Sequence, residues 1–323
     1  MSAQARRKGL LVDMLARNLL FQPSHAAAGY FYAVLAAILW SLIGPFSKVC
    51  LASDIGPVEA AFWRVFLGGM CFLVQAAMHG SLFISWRHAV LFFLFGGWGV
   101  GVLSGALQIS IQLSGAAMAM VLMYTAPAWV AVASRVLFHE PISRQKFLAI
   151  CIALGGTTLI CFSGGSLMEE HSSVGIFCGL LSGITYASHF PFYTWWKHSY
   201  PAETIYAYML LGGAAFLLPF SDFTPDKPVE SWGYLISFGF LTNYIAYIAL
   251  TKSLQRINPV KTAVIGNIEP ILATILVWMF FGENFTHYGW FGCGLVIFAV
   301  FLLTLEKKPA PQRDIEQVRV KRE

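Results

Sequence analysis

Charged side chains are scarce in this sequence. Only 11% of its 323 residues are Asp, Glu, Lys or Arg, whereas a soluble domain has roughly 25%. The six cysteines include no CxxC pair, and all lie in or beside apolar segments. A disulfide framework and a cysteine metal site are therefore not expected, and the thiols are interpreted as small packing groups. The sequence predicts no metal and no cofactor.

Catalytic motifs are also lacking. No Asp lies within an apolar segment, which argues against an intramembrane aspartyl protease. His139-Glu140 has no second histidine four residues on, as a zinc protease helix requires. Ser104 and His189 are too weak a match to a rhomboid serine–histidine pair, because the segment count and the duplication described below do not fit. No glycine-rich phosphate loop is present, so ATP hydrolysis within the chain is excluded and no enzyme is expected.

Long apolar segments are what the sequence has in abundance. Hydrophobic residues make up 57% of the chain, and the mean hydropathy is +0.66. Crossing a bilayer takes about 20 mostly apolar residues per helix, and lipid offers no partner to an unpaired backbone group. We therefore predict an all-α integral membrane protein. The ten predicted spans are 30–50, 58–79, 88–111, 115–138, 145–163, 174–196, 202–220, 232–252, 259–281 and 287–305.

The sequence also repeats itself. Residues 30–163 align with residues 174–305 at an offset of about 143–146. Matched pairs include Pro45 with Pro191, Pro127 with Pro270, and Glu140 with Glu283. Each copy has five predicted spans, and an odd number of crossings places the second copy upside down in the membrane. We therefore predict ten transmembrane helices in two inverted five-helix repeats around a central cavity, as in many secondary transporters.

Basic residues predict the orientation. If the amino terminus is cytoplasmic, that face collects most of the Lys and Arg, and the opposite face has only Lys48 and Lys227. This bias predicts a multi-pass protein of the cell (inner) membrane with both termini cytoplasmic. The net charge of +5 is therefore interpreted as a topology signal and not as evidence for nucleic acid, and the expected partners are the lipid bilayer and a small-molecule substrate. Residues 1–29 are expected to be a cytoplasmic arm, because Asp13 and Arg17 interrupt the apolar run of a signal peptide. Residues 306–323 are expected to be a flexible cytoplasmic tail.

Two segments resemble the EamA-type transporters of the drug/metabolite transporter superfamily. They are TAPAWVAVASRVLFHEPIS around Pro127 and IEPILATILVWMFFGENFT around Pro270. In that family the fourth helix of each repeat is centred on a proline and ends in Gly-Glu or a similar pair. His139 stands where the family usually has Gly, whereas the second copy keeps Gly282-Glu283. The resemblance covers about 29–305 and implies helices 1, 3, 4, 6, 8 and 9 as cavity walls, with helices 5 and 10 at the periphery.

Residues that match between the copies are interpreted as framework. Within the predicted helices the matched prolines are Pro45, Pro127, Pro191 and Pro270. Each removes a backbone hydrogen bond, and both a hinge and a static bend stay open as interpretations. The pairs Gly68-Gly69 and Gly212-Gly213 are expected to allow close helix packing. Glu140 and Glu283 are expected to bond loop backbone groups or to cap the next helix.

Polar residues that differ between the copies are the candidates for function. Glu269 lies near the middle of span 9 opposite Ala126 in the repeat, and a carboxylate at this depth is costly unless paired, protonated or hydrated. It is the first candidate for proton coupling. His189 is the second, because imidazole titrates near neutral pH. For both, an ordinary hydrogen-bonding role stays open. Arg64 lies about 10 Å into span 2 and either snorkels or pairs with an acidic group.

Aromatic and amide side chains are expected around these groups. At mid-membrane depth the predicted spans contain Trp40, Trp98, Gln108, Tyr124, Tyr186, Asn243, Tyr244, Tyr247 and Asn267. An aromatic, sparsely polar pocket suits a small amphipathic ligand, such as an amino acid or an organic amine, better than a sugar phosphate. We therefore predict a secondary active exporter of such solutes that works by alternating access, with protons as a candidate coupling ion.

Two other functions stay open. One is an exchanger that holds carboxylate or phosphate substrates with Arg64, Lys252 and Lys261, although the positive bias of the cytoplasmic face also explains the two lysines. The other is a non-transporting membrane receptor or adaptor. A homodimer is left open as well.

Overall fold

The computed structural model describes residues 25–114, 116–162, 172–225, 227–281 and 286–305. These ranges are mostly helical and contain no β-strand, so the predicted all-α class is confirmed for this part of the chain. Most of the predicted amino-terminal arm lies outside the described residues, as do the carboxy-terminal tail and the Gly282-Glu283 pair. We refer to residues 25–162 as the amino-terminal half and to residues 172–305 as the carboxy-terminal half.

The helices follow one another through short turns. In the amino-terminal half they are α1 (His25–Ser41), α2 (Ile43–Ala52), α3 (Pro57–Met78), α4 (Trp86–Gly96), α5 (Leu103–Ser114), α6 (Ala116–Met123), α7 (Ala126–Phe138) and α8 (Arg144–Phe162). In the carboxy-terminal half they are α9 (Ser173–Trp196), α10 (Ala202–Leu217), α11 (Val229–Gly239), α12 (Ala246–Leu254), α13 (Pro259–Gly266), α14 (Glu269–Phe281) and α15 (His287–Thr304). A 3-10 turn, Leu218–Phe220, follows α10.

Seven helices among the described residues have the length and the hydropathy to cross a membrane. They are Ala26–Ser47, Pro57–Met78, Trp86–Ile111, Met118–Phe138, Ser173–Trp196, Ala202–Phe220 and Val229–Leu254. Three predicted spans differ from this set. Span 145–163 corresponds to α8, which is not among the seven. Span 259–281 is divided into α13 and α14, and span 287–305 contains the shorter apolar helix His287–Leu303. The count of ten spans therefore stays a prediction.

Three of the four matched prolines follow a break in a helix. Pro127 and Pro270 are the second residues of α7 and α14, directly after two-residue turns, and Pro45 lies early in α2 after a one-residue turn. In the first turn of a helix the missing amide hydrogen costs little, because that position has no helical partner. Pro191 instead lies inside the continuous helix α9.

Helices of one half pack mainly against helices of the other half. α10 lies against α3 and α4, α9 against α5, α6 and α7, α12 and α13 against α1, and α15 against α8. Glycines permit the closest of these contacts. A Cβ atom at Gly96 would lie 1.8 Å from the Met209 carbonyl oxygen, and one at Gly212 would lie 2.0 Å from the Phe93 carbonyl oxygen. The close packing predicted for Gly212 is thereby confirmed.

Two π-helical turns interrupt long helices. Gly97–Val102 joins α4 to α5, and Phe240–Ile245 joins α11 to α12. They lie about 143 residues apart, which is the offset of the sequence repeat. Such turns, bonded from residue i to i+5, are rare and occur frequently at functional sites. Each of them supplies a carbonyl group to the site described next.

Candidate functional site

Two helix breaks, one from each half, meet at the centre of the candidate site. Glu269 is the first residue of α14, directly after the break that separates this helix from α13. Tyr124 lies in the corresponding break before α7, and its hydroxyl is within hydrogen-bonding reach of the Glu269 carboxyl. A helix N-terminus carries partial positive charge that favours an anion. Discontinuous helices of this kind form substrate and ion sites in many transporters.

Arg64 supplies the opposite charge from α3. Its guanidinium interacts electrostatically with Glu269 and with Tyr247, and it lies 5.4 Å from the centre of the Phe238 ring in a cation–π contact. Among the described residues, no ion pair of 4.0 Å or less joins Arg64 to Glu269. The two opposite charges therefore act on one site without neutralising each other directly.

Three side chains of this site combine a deep position with accessible surface. Arg64, Tyr186 and Glu269 are surrounded by protein atoms, and each residue is still only partly buried. Accessible surface inside a protein is what the wall of an internal cavity presents. A cavity with a few convergent polar groups is the usual form of a small-molecule site. The three residues lie on α3, α9 and α14, so both halves contribute to it.

His189 connects α9 to the first π-helical turn. Its Nε2 atom lies 2.6 Å from the Gly99 carbonyl oxygen, and its Nδ1 atom lies 3.4 Å from the Tyr247 hydroxyl. A carbonyl oxygen only accepts, so we assign the ring hydrogen to Nε2, and in the neutral ring Nδ1 accepts from Tyr247. A Cβ atom at residue 99 would lie 2.8 Å from Nε2. The bond to His189 therefore requires glycine at this position.

Trp40 makes the corresponding contact on the second π-helical turn. Its Nε1 atom donates to the Thr242 carbonyl oxygen at 3.0 Å, and Thr242 has the place in this turn that Gly99 has in the first. The Trp40 ring meets Tyr186 and Tyr247 edge-on, at centroid distances of 6.0 and 5.8 Å. His189 stacks on Tyr247 at 5.9 Å. These contacts form one aromatic cluster, which consists of Trp40, Tyr186, His189 and Tyr247.

Other predicted site residues have different contacts. Asn243 is buried against α3, where its Nδ2 atom donates to the Arg64 carbonyl oxygen at 3.2 Å. The Tyr244 hydroxyl donates to Gln75 Oε1 at 2.9 Å. Trp98 is 40% exposed, and its neighbour Gly99 is the residue that meets His189. Asn243 and Tyr244 thus tie α3 to the second π-helical turn and are not members of the aromatic cluster.

Amide and lysine side chains complete the predicted set. Asn267 is buried in the break before α14, and its Nδ2 atom has no hydrogen-bond partner among the described residues. A buried donor of this kind is normally satisfied by water or ligand. Gln108 is partly buried in α5. Lys252 is exposed, with its Nζ atom 5.3 Å from the centre of the Tyr32 ring, and Lys261 is partly buried in α13.

Tyr206 is a member of the site that the sequence pattern did not single out. It is buried on α10, its ring lies 4.6 Å from that of Tyr247, and its hydroxyl has no hydrogen-bond partner in the described part of the chain. It comes only four residues after the predicted start of span 7, a depth typical of interfacial tyrosines. Packing of α10 deep against α3 places it at the aromatic cluster instead.

These features define a multi-pass membrane protein whose candidate site contains a positive charge, a negative charge and several aromatic rings. Comparison with known proteins then identifies its family. The chain matches the EamA-like transporter family over residues 27–162 and again over residues 173–305, and it belongs to that family. The predicted resemblance is confirmed. The protein is thus a membrane transporter and not an enzyme.

The sequence identity between this chain and its individual relatives is low. The chain is 26% identical over 234 residues to an uncharacterized transporter, YdfC, of Bacillus subtilis, which corresponds to 70% of this chain and 75% of that protein. It is 23% identical over 321 residues to a riboflavin transporter of Rhizobium johnstonii, or 92% of this chain and 99% of that protein. One crystal structure superposes with a TM-score of 0.75 at 16% identity, covering 88% of this chain and 100% of the other. This likeness supports the fold alone.

Proposed function

We propose that the protein is a secondary active exporter of amino acids or closely related amphipathic solutes. The observation that carries this proposal is the presence of Arg64 and Glu269 together beside the aromatic cluster. A zwitterion offers a carboxylate to Arg64, an ammonium to Glu269 and an apolar side chain to the rings. A buried charge without a partner is costly. A ligand that complements both charges is therefore favoured over an apolar or singly charged one.

The proposed movement is a rocking of two inverted five-helix repeats, 30–163 and 174–305, around the site. Its support is that each half contributes a ring N–H to the other half, from Trp40 to Thr242 and from His189 to Gly99. Relative motion of the halves would change both contacts together. The helix breaks that precede matched prolines are the proposed flexible points.

Glu269 is the proposed proton-coupling group. Burial disfavours its ionised form, whereas Tyr124, Arg64 and the N-terminus of α14 favour it. A proton and a substrate ammonium would compete for this carboxylate, which is what an exchange of protons for substrate requires. His189 is the second candidate. Protonation of its Nδ1 atom would force the Tyr247 hydroxyl to turn from donor to acceptor.

Transport into proteoliposomes with an imposed pH gradient tests this proposal. Purified protein should drive the accumulation of at least one amino acid, and Glu269→Gln should reduce accumulation to simple equilibration, because its amide cannot exchange a proton. Glu230→Gln is the matched control, since Glu230 is exposed in the first turn of α11. Full gradient-driven accumulation by Glu269→Gln would contradict the coupling role.

The substrate class can be narrowed separately. A ligand that binds only the folded state raises the melting temperature, so amino acids, amines, nucleosides and carboxylates should be screened by thermal shift. One relative is named a riboflavin transporter, and the aromatic cluster is suited to planar rings. Riboflavin and other aromatic amphipathic solutes therefore belong in the same screen.

A second candidate is an exchanger of anionic metabolites. Arg64 favours it, because this guanidinium lies deep in the protein with no ion pair among the described residues. Obligate counter-transport that is independent of pH, lost in Arg64→Gln and kept in Glu269→Gln, would identify it. Absence of flux for every solute would instead indicate a receptor or adaptor. The proposed inner-membrane orientation, with both termini cytoplasmic, can be tested with reporter fusions at each terminus.

A further inference from the structure

A second charged cluster lies at the amino-terminal end of α3. Lys227 Nζ and Glu59 Oε1 are 2.5 Å apart, and the two side chains are only 7% and 0% exposed. Glu59 Oε1 also accepts from Trp63 Nε1 at 3.1 Å. Glu59 Oε2 accepts from the Thr224 amide at 3.0 Å and from the Thr224 hydroxyl at 2.9 Å. Both oxygens of this buried carboxylate are thus bonded.

Three aromatic rings surround the ammonium of Lys227. Its Nζ atom lies 5.9 Å from the centre of the Trp63 ring, 6.0 Å from Phe223 and 5.9 Å from Trp232. The Trp63 and Trp232 rings meet edge to face at 4.8 Å. Several ring faces around one cation are the arrangement that recognises alkylated ammonium ligands. We call this group the ammonium cage: Glu59, Trp63, Phe223 and Trp232.

The ammonium cage is built from both halves of the chain. Glu59 and Trp63 come from α3, whereas Phe223, Lys227 and Trp232 follow α10. The connection between α10 and α11 is superficial, because Phe223 is 41% exposed. Lys227 adds a hydrogen bond from its Nζ atom to the Thr224 carbonyl oxygen at 2.7 Å. Lys227 therefore reaches the ammonium cage from the connection between α10 and α11.

The repeat provides an internal comparison. In the repeat, Pro57 and Glu59 align with Pro201 and Glu203 at an offset of 144 residues, and Glu203 Oε1 lies 2.8 Å from His79 Nδ1. His79 is 58% exposed, so water solvates this pair. Of these two aligned carboxylates, Glu59 is the one that is fully buried and lies beside three rings and an ammonium group, and this difference argues for ligand chemistry rather than for framework alone.

We propose that the ammonium cage is a binding site for organic ammonium ions, in which Lys227 is a tethered ligand that an ammonium group of a free molecule can replace. Withdrawal of Lys227 would leave the buried Glu59 carboxylate without a counter-ion, which is strongly unfavourable. A free ammonium ligand removes that penalty. It therefore shifts the population towards the state in which the Lys227 side chain has left the ammonium cage.

Chemical rescue of Lys227→Ala tests this proposal without any transport assay. The substitution removes Cγ to Nζ, which is n-propylammonium in shape and charge. Purified full-length Lys227→Ala in detergent should melt below the wild type, and millimolar n-propylammonium chloride should restore at least half of the lost Tm. Sodium chloride at the same ionic strength should not. If the alanine variant does not fold, Lys227→Ser, which leaves nearly the same vacancy, takes its place in the same titration.

Two further variants make the outcome decisive. Lys252→Ala is the matched control, because Lys252 is exposed and lies over the single Tyr32 ring. It should show no shift with n-propylammonium. The double variant Lys227→Ala with Glu59→Gln should lose the rescue, because it lacks the anionic partner. Absence of rescue in the single variant, or equal rescue in the double variant or in Lys252→Ala, would overturn the proposal. A failure of the transport proposal would leave these melting curves unaffected.

Discussion

Among the described glycines, Gly96 gives the sharpest stability prediction. A Cβ atom at Gly96 would lie 1.8 Å from the Met209 carbonyl oxygen, and ordinary van der Waals contact begins at 3.4 Å. Gly96→Ala must therefore push α4 and α10 about 1.6 Å apart at this point. The obstacle is backbone, which cannot rotate away as the end of a side chain can.

The expected magnitude follows from two opposing effects. Overpacking costs roughly 1–3 kcal/mol, and an obstructing backbone atom places this site at the upper end. Alanine regains about 1 kcal/mol of helix propensity over glycine. We expect a net loss of about 2 kcal/mol in the free energy of unfolding for Gly96→Ala. Gly212→Ala, which meets the Phe93 carbonyl oxygen at 2.0 Å, should behave in the same way.

Reversible unfolding in mixed detergent and SDS micelles measures this difference. Gly105→Ala and Gly233→Ala are matched controls, because both glycines are helical and a Cβ atom at either meets nothing within 4 Å. These controls should gain up to about 1 kcal/mol. If Gly96→Ala were as stable as Gly105→Ala, the close approach of α4 and α10 would be refuted.

Two further predictions concern single hydrogen bonds. Trp40→Phe keeps an aromatic ring but leaves the buried Thr242 carbonyl without its Nε1 donor, so the free energy of unfolding should fall by about 1–3 kcal/mol and substrate-induced thermal shifts should weaken. Trp98→Phe, at a 40% exposed position, is the control and should change neither quantity. An equal effect of both variants would contradict the role assigned to the Trp40 hydrogen bond. Asn258→Ala removes the side chain that caps α13 by accepting from the Val260 amide at 2.8 Å and that donates to Glu140, so in the same unfolding assay it should cost more than the roughly 1 kcal/mol of a helix cap alone. Asn258→Ser should recover about 1 kcal/mol, because a serine restores the cap but not the bond to Glu140.

Features that depend on composition and spacing could be predicted from the sequence. The apolar helices follow from hydropathy, and the close contact at Gly212 follows from a glycine pair repeated in both copies. Glu269 and His189 stood out because their counterparts in the repeat are apolar. The structure brings both into contact with tyrosines of one site. Comparison of two copies thus located polar groups that hydropathy alone does not separate from packing residues.

Features that depend on contacts between distant segments could not be predicted. No residue type demands a π-helical turn, so the turns at Gly97–Val102 and Phe240–Ile245 gave no sequence signal. Lys227 was one of two basic residues on the face poor in positive charge, but its partner Glu59 lies in the other half of the chain. Glu140 was expected to bond loop backbone groups or to cap the next helix, whereas its side chain accepts a hydrogen bond from the Asn258 side chain of the other half. Each of these outcomes is set by tertiary packing.

The exchange of ring N–H groups between the two halves has a consequence for how the molecule melts. Trp40 satisfies a carbonyl group of one half and His189 satisfies a carbonyl group of the other. If either half unfolded first, a carbonyl group in the other half would lose its hydrogen-bond donor. Partial unfolding is thereby penalised in both directions. The two halves are therefore expected to unfold together in one cooperative transition, as the subunits of an obligate heterodimer do.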